Sequence, residues 1–341
     1  MTLPARRSSS GLCMLLLALA CLVSRPAQAE DPATLIKFAT VAPRNSTWMN
    51  IMEELDTEVR SATANRVGFK FYPGGVQGDE LDVIRKIKIN QIQAAGFTGV
   101  GLGAIQPAAR ILDLPFLFTT AEQVDAVREG MFDRFASLFR EKNFELLGWA
   151  EVGFVHFFSQ QPIRTLDDLR QQKMWLWEGD PLASAYFKEL GLKPVPLALP
   201  DVLTSFQTGL INAAYASPYG ASVLQWQSRV NHVSDLAMAN ASGAVLVSDK
   251  AWNKLSAADQ ATVRQIARKH LRRLTLESRR ENQEAMDAFL KAGITQINSS
   301  ESEHARFEEI GTRVQNALAG DLYSRELLND VRQALAGAAG N

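Results

Sequence analysis

The sequence predicts an α/β protein with two domains, and three observations support this fold class. The chain has 341 residues, which is more than a single sheet-based core usually holds. Two successive segments each have a β-α-β-α-β pattern, with short glycine- and proline-rich loops between the elements. The 36 residues 257–292 contain no glycine or proline and predict one continuous helix.

The first β-α-β-α-β series begins with a strand at residues 35–40, which breaks at Pro43. Ser46 or Thr47 can cap the helix that follows. The apolar positions of this helix recur at helical spacing, at Met49, Ile51, Met52, Leu55 and Val59. The next elements are a strand at 66–72, a helix at 79–89 and a strand at 93–97. The short connections predict a mainly parallel sheet.

The second series begins near Val152. Its predicted elements are strands at 174–177 and 211–215, a β-type segment at 193–197, and helices at 181–190 and from about 201 to 209. The apolar run 245–247 predicts a strand that returns to the first sheet.

The long helix is expected to cross both domains. Ser256 and Asp259 form a start that resembles a capping box. At about 1.5 Å per residue the helix is roughly 54 Å long, about twice the roughly 26 Å diameter of a 100-residue domain. We therefore assign residues 30–153 plus about 243–283 to domain I, and residues 154–242 plus about 284–341 to domain II.

The first 29 residues have the pattern of a secretory signal. Arg6 and Arg7 precede an apolar run at residues 12–23, and an Ala-Gln-Ala cleavage motif ends at Ala29. The apolar run is too short to span a bilayer, which needs about 20 helical residues. We therefore expect cleavage after Ala29 and a soluble mature protein outside the cytoplasm.

Both cysteines, Cys13 and Cys21, lie inside this segment. The mature chain would therefore have no disulfide, no thiolate metal site and no cysteine nucleophile. Lipoprotein processing at Cys21 is the open alternative. Ala18 and Leu19 fit that signal poorly, because a large residue followed by a small one is needed there.

The charge balance argues against a nucleic-acid partner. The chain has 36 basic and 37 acidic residues. Without the three arginines of the signal segment, 33 basic residues remain against 37 acidic ones, a net charge of −4. A nucleic-acid-binding protein usually carries a basic excess or a basic patch.

No residue pattern points to catalysis, a metal or a cofactor. The four histidines are scattered, and none has a second histidine at the i+4 spacing of a helical zinc site. The segment Gly99-Val100-Gly101-Leu102-Gly103 lacks the third glycine of a dinucleotide fingerprint and the Walker lysine. We interpret it as a loop at a strand end that lines a cleft. The prediction is no catalytic residue, no metal site and no cofactor.

Several segments in order resemble the periplasmic solute-binding subunit of tripartite ATP-independent periplasmic (TRAP) transporters, in the dicarboxylate-receptor, DctP-like branch. They are Ile-Lys-Phe-Ala-Thr-Val-Ala-Pro at 36–43, Phe-Tyr-Pro-Gly-Gly-Val-Gln-Gly at 71–78, Asp-Leu-Pro-Phe-Leu-Phe at 113–118 and Pro-Ile-Arg-Thr-Leu-Asp-Asp-Leu at 162–169. The resemblance covers nearly the whole mature chain.

This resemblance implies a type II-like periplasmic-binding-protein fold, in which hinge strands join two α/β domains around a ligand cleft. The domains close on the ligand because the closed state makes extra contacts with it. The resemblance also implies a periplasmic protein that delivers a small-molecule ligand to small and large membrane permease subunits and performs no chemistry.

The chain departs from the family at the position that grips the ligand carboxylate. The family pattern Asp-Leu-Lys-Gly-x-Lys-x-Arg ends in an arginine, whereas this chain has Trp175 there. Tyr215 likewise stands where relatives often carry an acid in Asp-Ala-Ala-Glu. A guanidinium fits a carboxylate through two hydrogen bonds, whereas tryptophan offers apolar surface. We therefore expect an apolar or aromatic ligand, with an organic acid still open.

The predicted ligand-binding residues combine the aromatic side chains of this region with polar residues of first-domain loops. They are Trp175, Tyr215, Phe154, Trp177, Trp48, Gln77, Thr98, Pro218 and Tyr219, with Ser46 as a further loop residue. Because alternate residues of a buried strand fill the sheet faces, Trp177, Phe157 and Phe158 can equally be core residues.

Two alternatives stay open. In the first, the protein is a dicarboxylate or keto-acid receptor whose arginine clamp has moved to Arg164, Arg110 or Arg44. In the second, it is a periplasmic module that passes its ligand to a soluble helical-repeat partner.

Overall fold

A computed structural model of the chain describes residues 1–2 and 31–338. The predicted signal segment beyond Thr2, its cleavage site and both cysteines lie outside the described residues. The described part contains two five-stranded sheets and a separate two-stranded ribbon. None of its helices is long and apolar enough to cross a membrane. The predicted α/β fold with two sheets is confirmed.

Twelve strands and thirteen α-helices make up the described chain. The strands are β1 (Thr34–Ala39), β2 (Val67–Tyr72), β3 (Ala94–Thr98), β4 (Phe144–Trp149), β5 (Gly153–Ser159), β6 (Trp175–Trp177), β7 (Val195–Leu197), β8 (Ala213–Ala216), β9 (His232–Ser234), β10 (Ala239–Ala241), β11 (Gly243–Ser248) and β12 (Thr295–Ile297).

The helices include one very long member near the C-terminus. They are α1 (Thr47–Ala62), α2 (Glu80–Lys88), α3 (Gly99–Ile105), α4 (Ala121–Gly130), α5 (Phe132–Arg140), α6 (Leu166–Arg170), α7 (Pro181–Glu189), α8 (Val202–Thr208), α9 (Pro218–Val223), α10 (Asp249–Trp252), α11 (Ala257–Lys291), α12 (Glu301–Ala317) and α13 (Arg325–Ala338). Short 3-10 helices lie at Pro107–Asp113, Leu199–Asp201 and Trp226–Ser228.

The first sheet has the strand order β2-β1-β3-β11-β4. β1 is parallel to β2 and β3, whereas β11 is antiparallel to β3 and β4. The predicted strand at 245–247 therefore does return to this sheet. Ser46 caps α1, and the five predicted apolar positions of that helix are its buried residues. The helix forms because this stripe buries against the sheet.

The second sheet is built largely from antiparallel pairs around β5. β5 pairs antiparallel with β8, β9 and β10. Two segments predicted as β-type in the second series, β6 and β7, are not part of this sheet and form the two-stranded parallel ribbon. A single bridge from Met174 to Ala213 links the ribbon to β8. These pairings are non-local, so the spacing of elements along the chain does not specify them.

Two short segments cross side by side from one sheet to the other. These crossing segments are residues 150–152, which join β4 to β5, and Ser242, which joins β10 to β11. They are held together because the Ala150 amide donates to Gly243 O (2.7 Å) and the Val152 amide donates to Ala241 O (3.1 Å). A side chain at Gly243 would overlap the carbonyl oxygen of Ala150, so the close approach requires glycine there.

Helix α11 is a third connection, as predicted from its length. Its first half packs on α1, and Arg66 on the first-sheet side binds Asp259. Its second half packs on α9, where Asn282 Oδ1 accepts a hydrogen bond from the Tyr219 amide (2.9 Å). The helix therefore contacts elements next to both sheets.

The C-terminal helices also contact both halves of the molecule. α12 packs on α7 and α13 packs on α4. Gln315 in α12 donates to the carbonyl of Pro115 (2.7 Å). The domain boundaries stay a prediction. The C-terminal helices were assigned to domain II, yet they also contact first-sheet elements.

Candidate ligand cavity between the two sheets

A cavity of about 230 Å³ lies between the two sheets. Its walls include the carboxyl ends of β1 and β3, the ribbon, the end of β8 and the crossing segment between β4 and β5. Ala241 and Gly243, at the adjoining ends of β10 and β11, also line it. Loops at the carboxyl ends of parallel strands are where α/β proteins usually place ligands. The volume suits a small organic molecule rather than a single ion, since one water needs roughly 10–15 Å³ by this measure.

Nine aromatic side chains line the cavity. Those that line it are Trp48, Phe97, Trp175, Trp177, Tyr186, Phe187, Tyr215, Tyr219 and Trp226. They come from distant parts of the chain and enclose the cavity from several directions. The walls therefore favour an apolar or aromatic ligand body.

Trp175 is at the same time a cavity wall and a core residue. Its ring stacks on Tyr215 with a centroid distance of 4.9 Å, and Trp226 meets it edge-on at 5.6 Å. Its Nε1 donates to the carbonyl of Leu197 (3.0 Å). Only 1% of Trp175 is exposed. The tryptophan thus holds the ribbon against β8, and its indole N–H is already satisfied.

Two hydrogen-bonded contacts join the two sides of the cavity. Trp177 Nε1 donates to Asp79 Oδ2 (2.8 Å), which also accepts from the Leu199 amide (3.3 Å). On another part of the rim, the Thr47 amide donates to the hydroxyl of Tyr219 (3.1 Å). One contact links a first-sheet loop to the ribbon and the other links a first-sheet loop to α9, so the structure describes a closed arrangement.

A buried charge cluster forms one wall of the cavity. Arg110 Nη1 donates to Asp113 Oδ2 (2.6 Å), and Arg110 Nη2 donates to both carboxylate oxygens of Asp180 (3.0 and 2.9 Å). Burial raises the pKa of Asp113, and Arg110 opposes this rise. Burial alone would lower the pKa of Arg110, but Asp180 and Asp113 outweigh it and raise it.

A second charge cluster lies where the crossing segments meet. Glu151 is 1% exposed, and its Oε2 accepts from Arg128 Nη1 (2.9 Å) and from Arg279 Nη2 (2.7 Å). Arg128 also donates to Asn240 Oδ1 in β10 (2.7 Å) and to Ser242 Oγ on the other crossing segment (3.0 Å). The cluster therefore ties α4, α11 and both crossing segments together.

Glu80 is buried beside the beginning of α3. Its Oε1 accepts from the Thr98 amide (2.7 Å) and its Oε2 from the Gly101 amide (2.6 Å). Burial raises the pKa of Glu80 from 4.5 to about 8; the hydrogen bonds from Thr98 and Gly101 oppose the rise and the Asp79 charge adds to it. The carboxyl group is therefore mostly protonated at neutral pH.

We expect Glu80 to make the free energy of unfolding fall as the pH rises from about 5 to about 8. In this range the folded protein keeps a proton on Glu80 that the unfolded chain, with a pKa of 4.5, has released. Raising the pH therefore favours the unfolded chain, with a slope that approaches about 1.4 kcal/mol per pH unit. Urea denaturation at several pH values, on the wild type and Glu80→Gln, measures this contribution. Equal slopes for the two proteins would contradict the assignment.

The structure brings most of the predicted ligand-binding residues together. Those that line the cavity are Trp175, Tyr215, Trp177, Trp48, Thr98 and Tyr219, together with Ser46. Phe154, Gln77 and Pro218 are not among its lining residues. Gln77 Oε1 instead accepts from Lys86 Nζ (3.0 Å), and Pro218 is the buried first residue of α9. Ligand contact stays a prediction for all of these residues.

The three candidate substitute arginines have different positions. Arg110 lines the cavity, whereas Arg164 and Arg44 are exposed and are not part of its lining. Among the described residues, no cluster of histidine and acidic side chains could hold a metal ion.

The glycine-rich segment at 99–103 is helix α3 and not the loop that the sequence predicts. Thr98 caps it, with its side chain accepting from the Val100 amide (3.4 Å). A side chain at Gly99 would overlap Asp113 and Arg110, and one at Gly103 would overlap the stem of Arg110. These glycines therefore leave the space that the arginine occupies.

Sequence reasoning missed Asp113, Asp180 and Glu151 as cavity residues. Two of them carried a usable signal. Asp113 opens the Asp-Leu-Pro-Phe-Leu-Phe segment, and Asp180 directly precedes Pro181, the pattern of a helix N-cap followed by proline at the first helical position. Glu151 had no such signal, because its partners are far away in sequence.

We call each sheet with the helices packed on it a lobe. Two lobes joined by the crossing segments around an aromatic-lined cavity define a solute-binding protein that holds its ligand between them. The family model described as bacterial extracellular solute-binding protein, family 7 (DctP), matches residues 38–320. The chain belongs to this family, and the predicted resemblance to TRAP-type solute receptors is confirmed.

Individual relatives agree with this assignment. A solute-binding protein of Chromohalobacter salexigens is 28% identical over 274 residues, which cover 76% of this chain and 78% of the relative. The crystal structure of a TRAP periplasmic solute-binding protein from Xanthobacter autotrophicus with bound β-D-galacturonate matches 88% of this chain and 99% of its own, with a TM-score of 0.82 at 20% identity. A TRAP receptor from Desulfovibrio salexigens with bound orotic acid gives a TM-score of 0.83 at 17% identity, over 89% of this chain and 99% of its own. The two structures show the fold.

Proposed function

We propose that this protein is the extracytoplasmic receptor of a TRAP-type secondary transporter and binds a small organic solute with an apolar or aromatic body. The cavity between the two sheets carries this proposal, because its walls come from both sides, are mainly apolar and include nine aromatic side chains. The receptor passes its solute to small and large membrane permease subunits. Export would proceed by cleavage after Ala29 and place the receptor in the periplasm.

The solute is recognised mainly by burial of its apolar surface. A ligand that buries 150–250 Å² of apolar surface against these rings gains roughly 4–6 kcal/mol at about 25 cal/mol per Å². That gain is reduced by the cost of ordering the ligand and of closing the receptor. The remaining energy is compatible with a reversible receptor that releases its solute to a permease.

Closure couples solute binding to the shape of the receptor. The contacts of Trp177 with Asp79 and of Tyr219 with Thr47 join the two sides of the cavity. They form only when the lobes approach, so the closed state needs both these contacts and those that the solute makes with both walls. The two crossing segments and α11 are the connections about which the lobes would move.

The dicarboxylate alternative is less well supported for this chain. β-D-galacturonate and orotic acid, the ligands bound to the two structural relatives, are organic acids. Here Arg110 is the only basic residue that lines the cavity in the described chain, and two carboxylates already bind it. No described feature favours a relay to a helical-repeat partner, so we do not propose one.

A thermal-shift panel on residues 30–341 tests the proposal. We expect aromatic and cyclic aliphatic solutes to raise the melting temperature, whereas succinate and malate leave it unchanged. A ligand at about 100 times its Kd adds roughly 2.7 kcal/mol, which moves the midpoint by a few degrees. A response to succinate and malate alone would contradict the proposed ligand class.

A cavity variant provides the matched control for this panel. Trp48 lines the cavity from the first-sheet side, and Leu276 on α11 is an exposed apolar residue outside the lining. We expect Trp48→Ala to weaken binding of the responding solute at least about tenfold and Leu276→Ala to leave binding unchanged. Equal affinities of the two variants would place the solute elsewhere.

A further inference from the structure

Within the part of the chain that the structure describes, Arg110 is the one basic residue of the cavity wall, and two carboxylates of the protein already bind it. Arg110 is 5% exposed, and its two carboxylate partners, Asp113 and Asp180, are 6% and 5% exposed. Asp113 lies three residues away in the same 3-10 helix, whereas Asp180 lies 70 residues away and precedes α7. The charges of this cluster add up to −1 when all three groups are ionised.

Both carboxylates are fixed in place by backbone amides. Asp113 Oδ1 accepts from the Ser242 amide (2.6 Å). Asp180 Oδ1 accepts from the amides of Leu182 (2.9 Å) and Ala183 (3.1 Å) at the beginning of α7. Neither carboxylate can therefore turn away from Arg110 without leaving buried N–H groups unpaired.

The arginine is equally fixed. Gly99 and Gly103 of α3 leave the space for its side chain, and a Cβ at either position would overlap it. The guanidinium thus cannot move toward a ligand anion and keep its partners. The cluster is a rigid part of the wall, built from first-sheet elements and from the N-terminus of α7.

The protein itself therefore supplies the carboxylate that would otherwise come from a ligand. A ligand carboxylate placed against this wall would be the third anion around one buried cation. Like charges that face each other in a desolvated site cost several kcal/mol. An uncharged polar group, such as an amide, ketone or hydroxyl, meets no such repulsion.

We propose that Asp180 determines the charge specificity of the receptor, so that the cavity prefers an uncharged apolar or aromatic solute over the carboxylate of the same shape. This inference rests on the proposed function, since it specifies the ligand class of the same cavity. It predicts that removing the charge of Asp180, with its helix cap retained, admits anionic ligands.

Asparagine is the informative replacement because it also accepts hydrogen bonds at a helix N-cap. In Asp180→Asn the amides of Leu182 and Ala183 keep an acceptor and Arg110 keeps a polar neighbour, while one negative charge is lost. Asp180→Ser, which also caps a helix, is a second variant if the first does not fold. Asp167→Asn is the matched control, because Asp167 also binds an arginine, Arg170, but is 75% exposed on α6.

The experiment measures the Kd of isosteric pairs by titration calorimetry at pH 7.5. The pairs are indole-3-acetamide with indole-3-acetate, phenylacetamide with phenylacetate, and cyclohexanecarboxamide with cyclohexanecarboxylate. We expect the wild type and Asp167→Asn to bind an amide at least about tenfold more tightly than its acid. In Asp180→Asn or Asp180→Ser that ratio should fall at least about tenfold, because Arg110 can then bind the acid.

Each outcome decides between the inference and the proposed function. If the wild type binds an acid as tightly as its amide, the charge specificity is refuted while the receptor function stands. If the wild type prefers the amide but both Asp180 variants keep the same ratio, Asp180 is not its cause. If no compound binds to any of these proteins, the proposed apolar or aromatic ligand class fails, and the inference fails with it.

Discussion

Replacing Glu151 with glutamine should lower the free energy of unfolding by about 3–5 kcal/mol. Glu151 is the carboxylate between Arg128 and Arg279, and Arg128 is itself 3% exposed. Removing the negative charge leaves Arg128 buried without an anionic partner beside a second arginine. Breaking a buried ion pair in this way costs more than the pair itself contributes, because the remaining charge is not solvated.

Urea denaturation followed by tryptophan fluorescence measures this loss. Glu284→Gln is the matched control, because Glu284 binds Arg280 (2.5 Å) on an exposed face of α11. Exposed pairs contribute about 0–1 kcal/mol, so the control should hardly change the midpoint. If Glu151→Gln and Glu284→Gln were equally stable, the cluster would not hold the crossing segments together.

Replacing Trp175 with alanine should also lower the free energy of unfolding by about 3–5 kcal/mol, which is the usual cost of removing a buried large aromatic side chain. The ring packs against Tyr215, Trp177 and Trp226, and its N–H donates to Leu197 O. Its loss leaves a void in this cluster and removes a contact that holds the ribbon. The same urea titration measures the change.

Leu276→Ala is the control for this variant, because its side chain is 55% exposed and its replacement should cost less than about 0.5 kcal/mol. Ligand affinity is measured in parallel. A Trp175→Ala protein with full stability but no binding would show that the tryptophan serves the ligand alone. We expect both properties to fall, since the side chain is a core residue and a cavity wall at once.

Local sequence patterns predicted the helices that are specified by residues close together in the chain. The helix α1 follows from its apolar stripe and the Ser46 cap, and α11 follows from 35 residues without a helix breaker. The pairing of β5 with β8, β9 and β10 was not predictable in the same way. It depends on which distant segments meet, and residue spacing along the chain carries little information about that.

The glycine-rich helix α3 was misread because glycine lowers helix propensity. What stabilises α3 is supplied from elsewhere, by Glu80 accepting from the Gly101 amide and by the Arg110 stem packed over Gly103. The aromatic part of the cavity was better predicted, since Trp175, Tyr215 and Trp177 could be located from their strand ends. The charged part was not, because Arg110 and Asp180 become neighbours only through folding.

The resemblance to TRAP-type receptors indicated the class of protein and the aromatic candidate site. The sequence by itself determined an α/β chain with a near-neutral charge and one long connecting helix. Those properties follow from composition and from local periodicity, which can be read from neighbouring residues without knowledge of the fold. The tertiary structure decided how the cavity is charged. It set Asp180 against Arg110 and Glu151 against Arg128 and Arg279, because the free energy of a buried charge depends on the partners that the fold places beside it.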